Sequence, residues 1–78
     1  MKVIVYSTKT CPYCHMVKEF LKEHEVKFEE VDVSEDQKKA REMVEKTGQM
    51  GVPVTDVDGK FVVGFNQEAL KKVLGIKH

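Results

Sequence analysis

Net charge and long apolar runs are both absent from this 78-residue sequence. Its 13 basic and 13 acidic side chains cancel, which excludes the broad basic surface that binds nucleic acid. No apolar run approaches the ~20 residues of a membrane-spanning helix. The opening MKVIVYSTKT has too short an apolar stretch for a secretory signal. We therefore expect a cytoplasmic monomer with no nucleic-acid or membrane partner.

Cysteine is equally scarce, since the sequence contains only Cys11 and Cys14. A reducing cytoplasm keeps thiols free, so two closely spaced cysteines indicate catalysis or metal binding rather than a structural disulfide. The length suits one small domain spanning residues 1–78. A hydrophobic content of 41% with 33% charged residues predicts a folded core beneath a charged surface.

The first part of the sequence predicts two strands with a helix between them. The β-branched run KVIVY, residues 2–6, lacks polar alternation, as expected of a strand buried on both faces. Pro12 is tolerated in a first helical turn, and the apolar stripe that follows predicts a helix as far as His24. The segment VKFEEVDV, residues 26–33, predicts the second strand.

A second helix is predicted next, between a capping pattern and a glycine. Ser34 and Gln37 have the spacing of a capping box. Gly48 suits the left-handed conformation that often follows a helix.

The last part of the sequence predicts a hairpin and a third helix. Residues 52–65 are rich in β-branched residues on either side of Asp58-Gly59, a strong two-residue turn signal. Asn66 can cap a helix that ends at Gly75.

The predicted order of elements is therefore β-α-β-α-β-β-α. A right-handed β-α-β unit makes the first two strands parallel neighbours, and the hairpin must extend the same sheet with helices on its faces. We predict an α/β protein with a four-stranded mixed sheet flanked by helices, the minimal form of the thioredoxin-like fold.

This order of elements places the two cysteines at the junction between a central strand and a helix. Free backbone N–H groups and the helix dipole stabilise an anion there, which favours the thiolate of Cys11 as a nucleophile. Lys9 adds a nearby positive charge. Cys14 lies three residues before Val17 on the apolar stripe, so we expect it to be buried and within reach of Cys11. Tyr13 is expected to face outward.

Three other interpretations of the cysteine pair are open. A structural zinc site takes four Cys or His ligands, but the sequence adds only His15, His24 and His78, with no second pair at finger spacing. The string CPYCH also matches a haem-attachment motif, which would require an exported chain. The third interpretation is two inert apolar cysteines. The position beside Lys9 at a helix start favours a redox pair, and we predict no metal ligands.

The segment YSTKTCPYCHMVKEFL resembles the active site of glutaredoxins, whose motif is typically Lys-x-Cys-Pro-Tyr-Cys. GVPV, residues 51–54, is similar to the Val-Pro loop of that family, in which the proline is cis. The resemblance covers essentially the whole chain. It implies a dithiol donor that reduces disulfides of proteins or small molecules, with Cys11 attacking and Cys14 resolving. The implied redox group is the Cys11–Cys14 disulfide, with no tightly bound cofactor.

The resemblance also implies a surface for glutathione or a substrate peptide. Val52 would offer its backbone to an extended ligand, held in place by a cis Pro53; without the resemblance, Pro53 is an ordinary proline at the first position of a strand. The contacts that we predict for glutathione or substrate are Lys9, Pro12, Tyr13, Val52, Pro53, Gly64, Phe65 and Asn66.

One segment departs from the glutathione-using members of the family. They usually carry Gly-Gly followed by a pair of acidic residues that grip the amino end of glutathione, whereas Gly64 is followed here by Phe65, Asn66 and Gln67. Losing an ammonium–carboxylate hydrogen bond weakens binding by about ten- to a hundredfold. The segment is similar instead to NrdH-redoxins, which reduce ribonucleotide reductase and are recharged by thioredoxin reductase. If Phe65 is only a core residue, glutathione stays open as the reductant.

Two further functional hypotheses follow from the residues. One is a metal or iron–sulfur module that shares a cluster through Cys11. The other is a redox-inert interaction domain that uses the exposed edge of the hairpin.

Overall fold

The computed structural model describes residues 2–48 and 51–76. Among them the chain follows the predicted order of strands and helices. The elements are β1 (Val3–Ser7), α1 (Pro12–Glu23), β2 (Glu29–Asp32), α2 (Gln37–Thr47), β3 (Val54–Val57), β4 (Lys60–Val63) and α3 (Gln67–Leu74).

The strands form one mixed sheet in the order β2-β1-β3-β4. Strand β1 runs parallel to β2 and antiparallel to β3, and β4 pairs with β3 in a hairpin. The predicted α/β, thioredoxin-like fold with a four-stranded sheet is confirmed. Tyr6, near the end of β1, pairs with Val54, the first residue of β3. This register brings the segment before β3 alongside the segment after β1, which contains both cysteines.

The core lies on both faces of the sheet, which explains why β1 is almost entirely apolar. On one face, the β1 valines pack against α1 and α3 through buried residues that include Leu21 and Leu70. On the other face, Tyr6 and Val54 pack against Met43 of α2. A strand buried between two helical layers cannot alternate polar and apolar residues.

Several predicted boundaries are confirmed. Helix α1 begins at Pro12 and is followed by its C-cap, His24. Asp58 and Gly59 both have positive φ, 50° and 91°, as a type I′ hairpin turn requires. The side-chain oxygen of Asn66 caps α3 by accepting the Ala69 N–H at 3.1 Å.

The second strand is shorter than predicted. We expected residues 26–33, but β2 covers only Glu29–Asp32. The reason lies at the end of α1, where Glu25 adopts a φ of 58° and the Val26 N–H donates to the Leu21 carbonyl at 2.8 Å. The backbone just after α1 therefore closes that helix before it can pair with β1.

The start of α2 was also predicted wrongly. The N-cap is Asp36, whose carboxylate accepts the Lys39 N–H at 3.0 Å. Ser34 instead donates both its hydroxyl and its backbone N–H to the Asp32 carboxylate. An aspartate two residues further on therefore replaces the expected serine cap, because the serine is committed to a local turn.

Two smaller corrections concern β1 and β3. Strand β1 extends through Ser7, one residue beyond the predicted run. Pro53 does not occupy the first position of its strand, because β3 begins at Val54. Within the described residues, no helix is both long and apolar enough to cross a membrane.

We predict that Thr55→Val stabilises the protein. Thr55 lies in β3 and is completely buried, and its hydroxyl has no hydrogen-bond partner among the described residues. Valine has nearly the same shape without the buried polar group, so the free energy of unfolding should rise by about 1–2 kcal/mol. Urea unfolding under reducing conditions measures the change. Thr55→Ser, which keeps the hydroxyl and loses a methyl group, should be destabilised. A lower urea midpoint for Thr55→Val would contradict the prediction.

Candidate active site

Cys11 is the N-cap of α1, so its side chain lies against the free N–H groups of the first helical turn. Its backbone is extended, with φ −100° and ψ 108°. Its sulfur accepts the backbone N–H of Cys14 at 3.2 Å. Pro12 follows at the first helical position, where the missing N–H is not needed. The helix start thus provides one of the donors that a thiolate at Cys11 requires.

Cys14 is the third residue of α1 and is completely buried, as the apolar stripe predicted. Burial raises the pKa of its thiol to about 12, and a hydrogen bond with the Cys11 side chain adds to the effect. A main-chain hydrogen bond from Thr8 and the charge of Lys18 act in the opposite sense. The two sulfurs therefore differ in environment: Cys11 is partly exposed at a helix terminus, and Cys14 is enclosed and protonated.

The Val52–Pro53 loop lies directly across from Cys11. Its peptide bond is cis, as the resemblance to glutaredoxins implied. The Cys11 thiol contacts the Val52 carbonyl oxygen at 3.8 Å. The Gly64 N–H donates to the Pro53 carbonyl at 2.8 Å, which fixes the loop to the end of β4. A backbone carbonyl is therefore held beside the accessible thiol.

The residues flanking the cysteines fall into two groups. Pro12 and Tyr13 are exposed, Tyr13 with 60% of its surface accessible, so its predicted outward orientation is confirmed. The ammonium group of Lys9, which was predicted to add a positive charge near Cys11, forms an ion pair with Glu35. Both Lys9 and Cys11 still line a cavity of about 400 Å³.

The segment after β4 is committed to packing and capping. The Phe65 ring contacts Phe20 edge-on, with a centroid distance of 6.2 Å, and packs against the core. Asn66 is exposed, and its side-chain oxygen is used by the helix it caps. The structure therefore places Gly64 against the Val52–Pro53 loop and directs Phe65 toward the core.

Two residues near the site were missed by the sequence reasoning. Met16 lies one turn after Tyr13 and is 43% exposed, unusual for so apolar a side chain. Lys18, one turn after Cys14, forms an ion pair with Glu30 of β2. The i, i+4 spacing of Cys14 and Lys18 is visible in the sequence, but the pairing with β2 requires the folded topology.

A metal centre requires a cluster of ligand side chains. In residues 2–48 and 51–76, no three His, Cys, Asp or Glu side chains come together in a way that could hold an ion. His15 lies 3.9 Å from Glu19, and His24 packs against the Phe20 ring. His78 lies outside the described residues.

The fold and the pair of thiols are those of a thiol–disulfide oxidoreductase of thioredoxin-like fold. Comparison with known proteins agrees with this class. The family model for Glutaredoxin matches residues 3–62. The chain therefore belongs to the glutaredoxin family, whose members are thiol–disulfide oxidoreductases.

Individual relatives cover nearly the whole chain. A glutaredoxin-like 8.6 kDa protein of the rubredoxin operon of Clostridium pasteurianum is 43% identical over 90% of this chain and 93% of its own length. The glutaredoxin-like protein NrdH of Lactococcus lactis is 39% identical over 91% of this chain and 97% of its own. The crystal structure of a mutant of the thioredoxin-like protein BC3987 superposes with a TM-score of 0.90 at 37% identity, covering 97% of each chain.

The enclosed thiol predicts a loss of stability at high pH. The pKa of Cys14 rises from 9.0 to about 12 on folding, so above pH ~9 the unfolded chain releases this proton first. The contribution of Cys14 is thus fully present below pH ~9 and disappears as the pH approaches 12. The test compares two proteins that both carry Cys11→Ser, one with Cys14 and one with Cys14→Ala. Between pH ~9 and 12, the free energy of unfolding should fall more steeply in the protein that keeps Cys14. Parallel pH profiles for the two proteins would contradict the prediction, because they would show that folding does not raise the pKa of the Cys14 thiol.

Proposed function

We propose that the protein reduces disulfides by a two-cysteine mechanism in which Cys11 attacks and Cys14 resolves. The observation that carries this assignment is the contrast between the two thiols. The sulfur of Cys11 caps α1 by accepting the Cys14 N–H at 3.2 Å, while the Cys14 side chain is completely buried. The accessible sulfur with anion-stabilising donors is the nucleophile, and the enclosed sulfur is protected until a mixed disulfide forms beside it.

The two steps balance as a transfer of two electrons. The Cys11 thiolate attacks one sulfur of the substrate disulfide, forms a mixed disulfide and releases the other sulfur as a thiolate. Cys14 then loses its proton to solvent and attacks the Cys11 sulfur. The Cys11–Cys14 disulfide forms, the second substrate sulfur leaves as a thiolate, and the substrate has gained both electrons.

The surface around Cys11 suits an extended peptide. The Val52 backbone precedes β3 and is held 3.8 Å from the Cys11 sulfur through its carbonyl oxygen. We propose that a substrate pairs with this backbone as an additional strand segment, as peptides do at sheet edges. Tyr13 and Pro12 would border the peptide from the α1 side, because both are exposed there. Disulfide-containing proteins are the proposed substrates, and the protein is proposed to act as a single-domain monomer in the cytoplasm.

Two electron sources are compatible with the family, glutathione and thioredoxin reductase. One observation favours the second. The two residues that follow Phe65, Asn66 and Gln67, are neutral amides, and the oxygen of Asn66 already caps α3. No carboxylate is therefore available at these positions for the ammonium group of glutathione. The chain is also 39% identical to a glutaredoxin-like protein NrdH, the group that its Gly64-Phe65 segment resembles.

We predict opposite consequences for the two cysteine substitutions. Cys11→Ser should abolish disulfide reduction, because the nucleophile is lost. Cys14→Ser should still attack but should remain as a mixed disulfide with a protein substrate. Mass spectrometry of the covalent complex after mixing each variant with an oxidised substrate protein measures both results, with Lys22→Met as an exposed control. Full disulfide-reducing activity of the Cys11→Ser variant would contradict the proposal.

We also predict that acidic residues introduced after Phe65 improve the binding of glutathione. Asn66→Asp combined with Gln67→Asp should lower the KM for glutathione by about ten- to a hundredfold. Aspartate is as good an N-cap as asparagine, so α3 should be preserved.

The measurement is NADPH consumption in two assays, one with glutathione and glutathione reductase and one with thioredoxin reductase alone. The unsubstituted protein should turn over faster with thioredoxin reductase. Asn66→Ser, a neutral cap, controls for loss of the amide. Efficient glutathione turnover by the unsubstituted protein, unchanged by the two aspartates, would refute the proposed preference for thioredoxin reductase.

A further inference from the structure

An ion pair joins α1 to β2 directly behind the active site. The Lys18 ammonium donates to a carboxylate oxygen of Glu30, and the hydroxyl of Ser7 donates to the same oxygen at 3.2 Å. Ser7 is buried at the end of β1, and the Lys18 side chain is only 23% exposed. The hydrogen bond from Lys18 also holds the pKa of Glu30 below its usual range, so the pair stays charged at neutral pH. Lys18 is therefore paired with a β2 carboxylate that the Ser7 hydroxyl of β1 also holds.

The position of Lys18 relates it to both thiols. It follows Cys14 by one helical turn, and it lines with Cys11 and Glu30 the cavity of about 400 Å³ beside the active site. Its charge favours the anionic form of Cys14, against the effect of burial. Lys9, which the sequence suggested for a role at the thiols, is paired with Glu35, and its side chain is 70% exposed. Lys18 is therefore the better-placed cation for charge on Cys14.

Resolution of the mixed disulfide is the step at which such a charge matters. Cys14 is protonated and enclosed at rest, yet its sulfur must become negative to attack Cys11. Negative charge in an enclosed site is unfavourable unless a cation or a hydrogen-bond donor compensates for it. The Thr8 main chain is one compensating group.

We propose that Lys18, held by Glu30, is a positioning residue that stabilises the negative charge developing on the Cys14 sulfur while the mixed disulfide is resolved. This inference rests on the proposed roles of the two cysteines. In the step, the Cys14 S–H bond breaks and its proton passes to solvent. The bond between the sulfurs of Cys14 and Cys11 forms, and the substrate sulfur leaves with its electron pair. Lys18 stays protonated throughout.

Other charged groups line the same cavity as Lys18. Of all the lining residues, the Thr8 main chain and the Lys18 charge lower the pKa of Cys14, whereas the Cys11 side chain raises it. The cavity is lined by Ser7, Thr8, Lys9, Cys11, His15, Lys18, Glu30 and Asp32.

Stopped-flow release of thionitrobenzoate from excess DTNB separates the two chemical steps. Attack by Cys11 gives a first phase whose rate depends on DTNB concentration. Resolution by Cys14 gives a second phase that is independent of it. Lys18→Met should slow the second phase about three- to tenfold at neutral pH. The rate of this phase should also continue to increase up to a higher pH than in the unsubstituted protein. The rate of the first phase should change less than about twofold.

Matched variants separate charge from packing. Lys18→Gln removes the charge but can still hydrogen-bond Glu30, and it should slow the second phase like Lys18→Met. Lys18→Arg should restore most of the rate, and Lys22→Met, exposed one turn further along α1, should resemble the unsubstituted protein. Equal slowing of both phases, or a second phase insensitive to Lys18, would overturn the inference alone. Release of one thionitrobenzoate per unsubstituted protein instead of two, with a stable mixed disulfide on Cys11, would overturn the proposed function as well.

Discussion

The hydrogen bond from the Cys14 N–H to the Cys11 sulfur is the interaction on which this site depends. N-caps are usually oxygen-bearing side chains, because an oxygen satisfies the free N–H groups of the first turn. Here a sulfur takes that position at 3.2 Å. The contact that begins the helix therefore also holds the proposed nucleophile and keeps it close to its partner cysteine.

The remainder of the fold holds this helix start against a second backbone segment. The pairing of Tyr6 with Val54 aligns the end of β1 with the beginning of β3, so the loop containing Cys11 and the loop containing Val52 lie side by side. The hydrogen bond between Gly64 and Pro53 adds the end of β4 to this arrangement. Cores on both faces of the sheet hold β1 and β3 in register, because a shift of one residue would move every side chain of a strand to the opposite face.

Local chemistry explains which features could be predicted from the sequence. The N-terminal proline of α1, the Asp58-Gly59 turn and the Asn66 cap each act over a few residues, and all three were predicted correctly. Ser34 failed as a cap because Asp32 competed for its hydroxyl. The partners of Lys9 and Lys18 could not be predicted, since Glu35 and Glu30 approach them only when β2 lies beside β1. Charges distant in the sequence become partners through topology, which periodicity does not encode.

The central claim is that helix capping and burial divide the work between the two thiols. Brief alkylation of the reduced protein with iodoacetamide at neutral pH, followed by peptide mass spectrometry, tests it directly. The account predicts that Cys11 is modified almost completely while Cys14 remains unmodified until the chain is unfolded in urea. Equal labelling of both cysteines, or preferential labelling of Cys14, would contradict it.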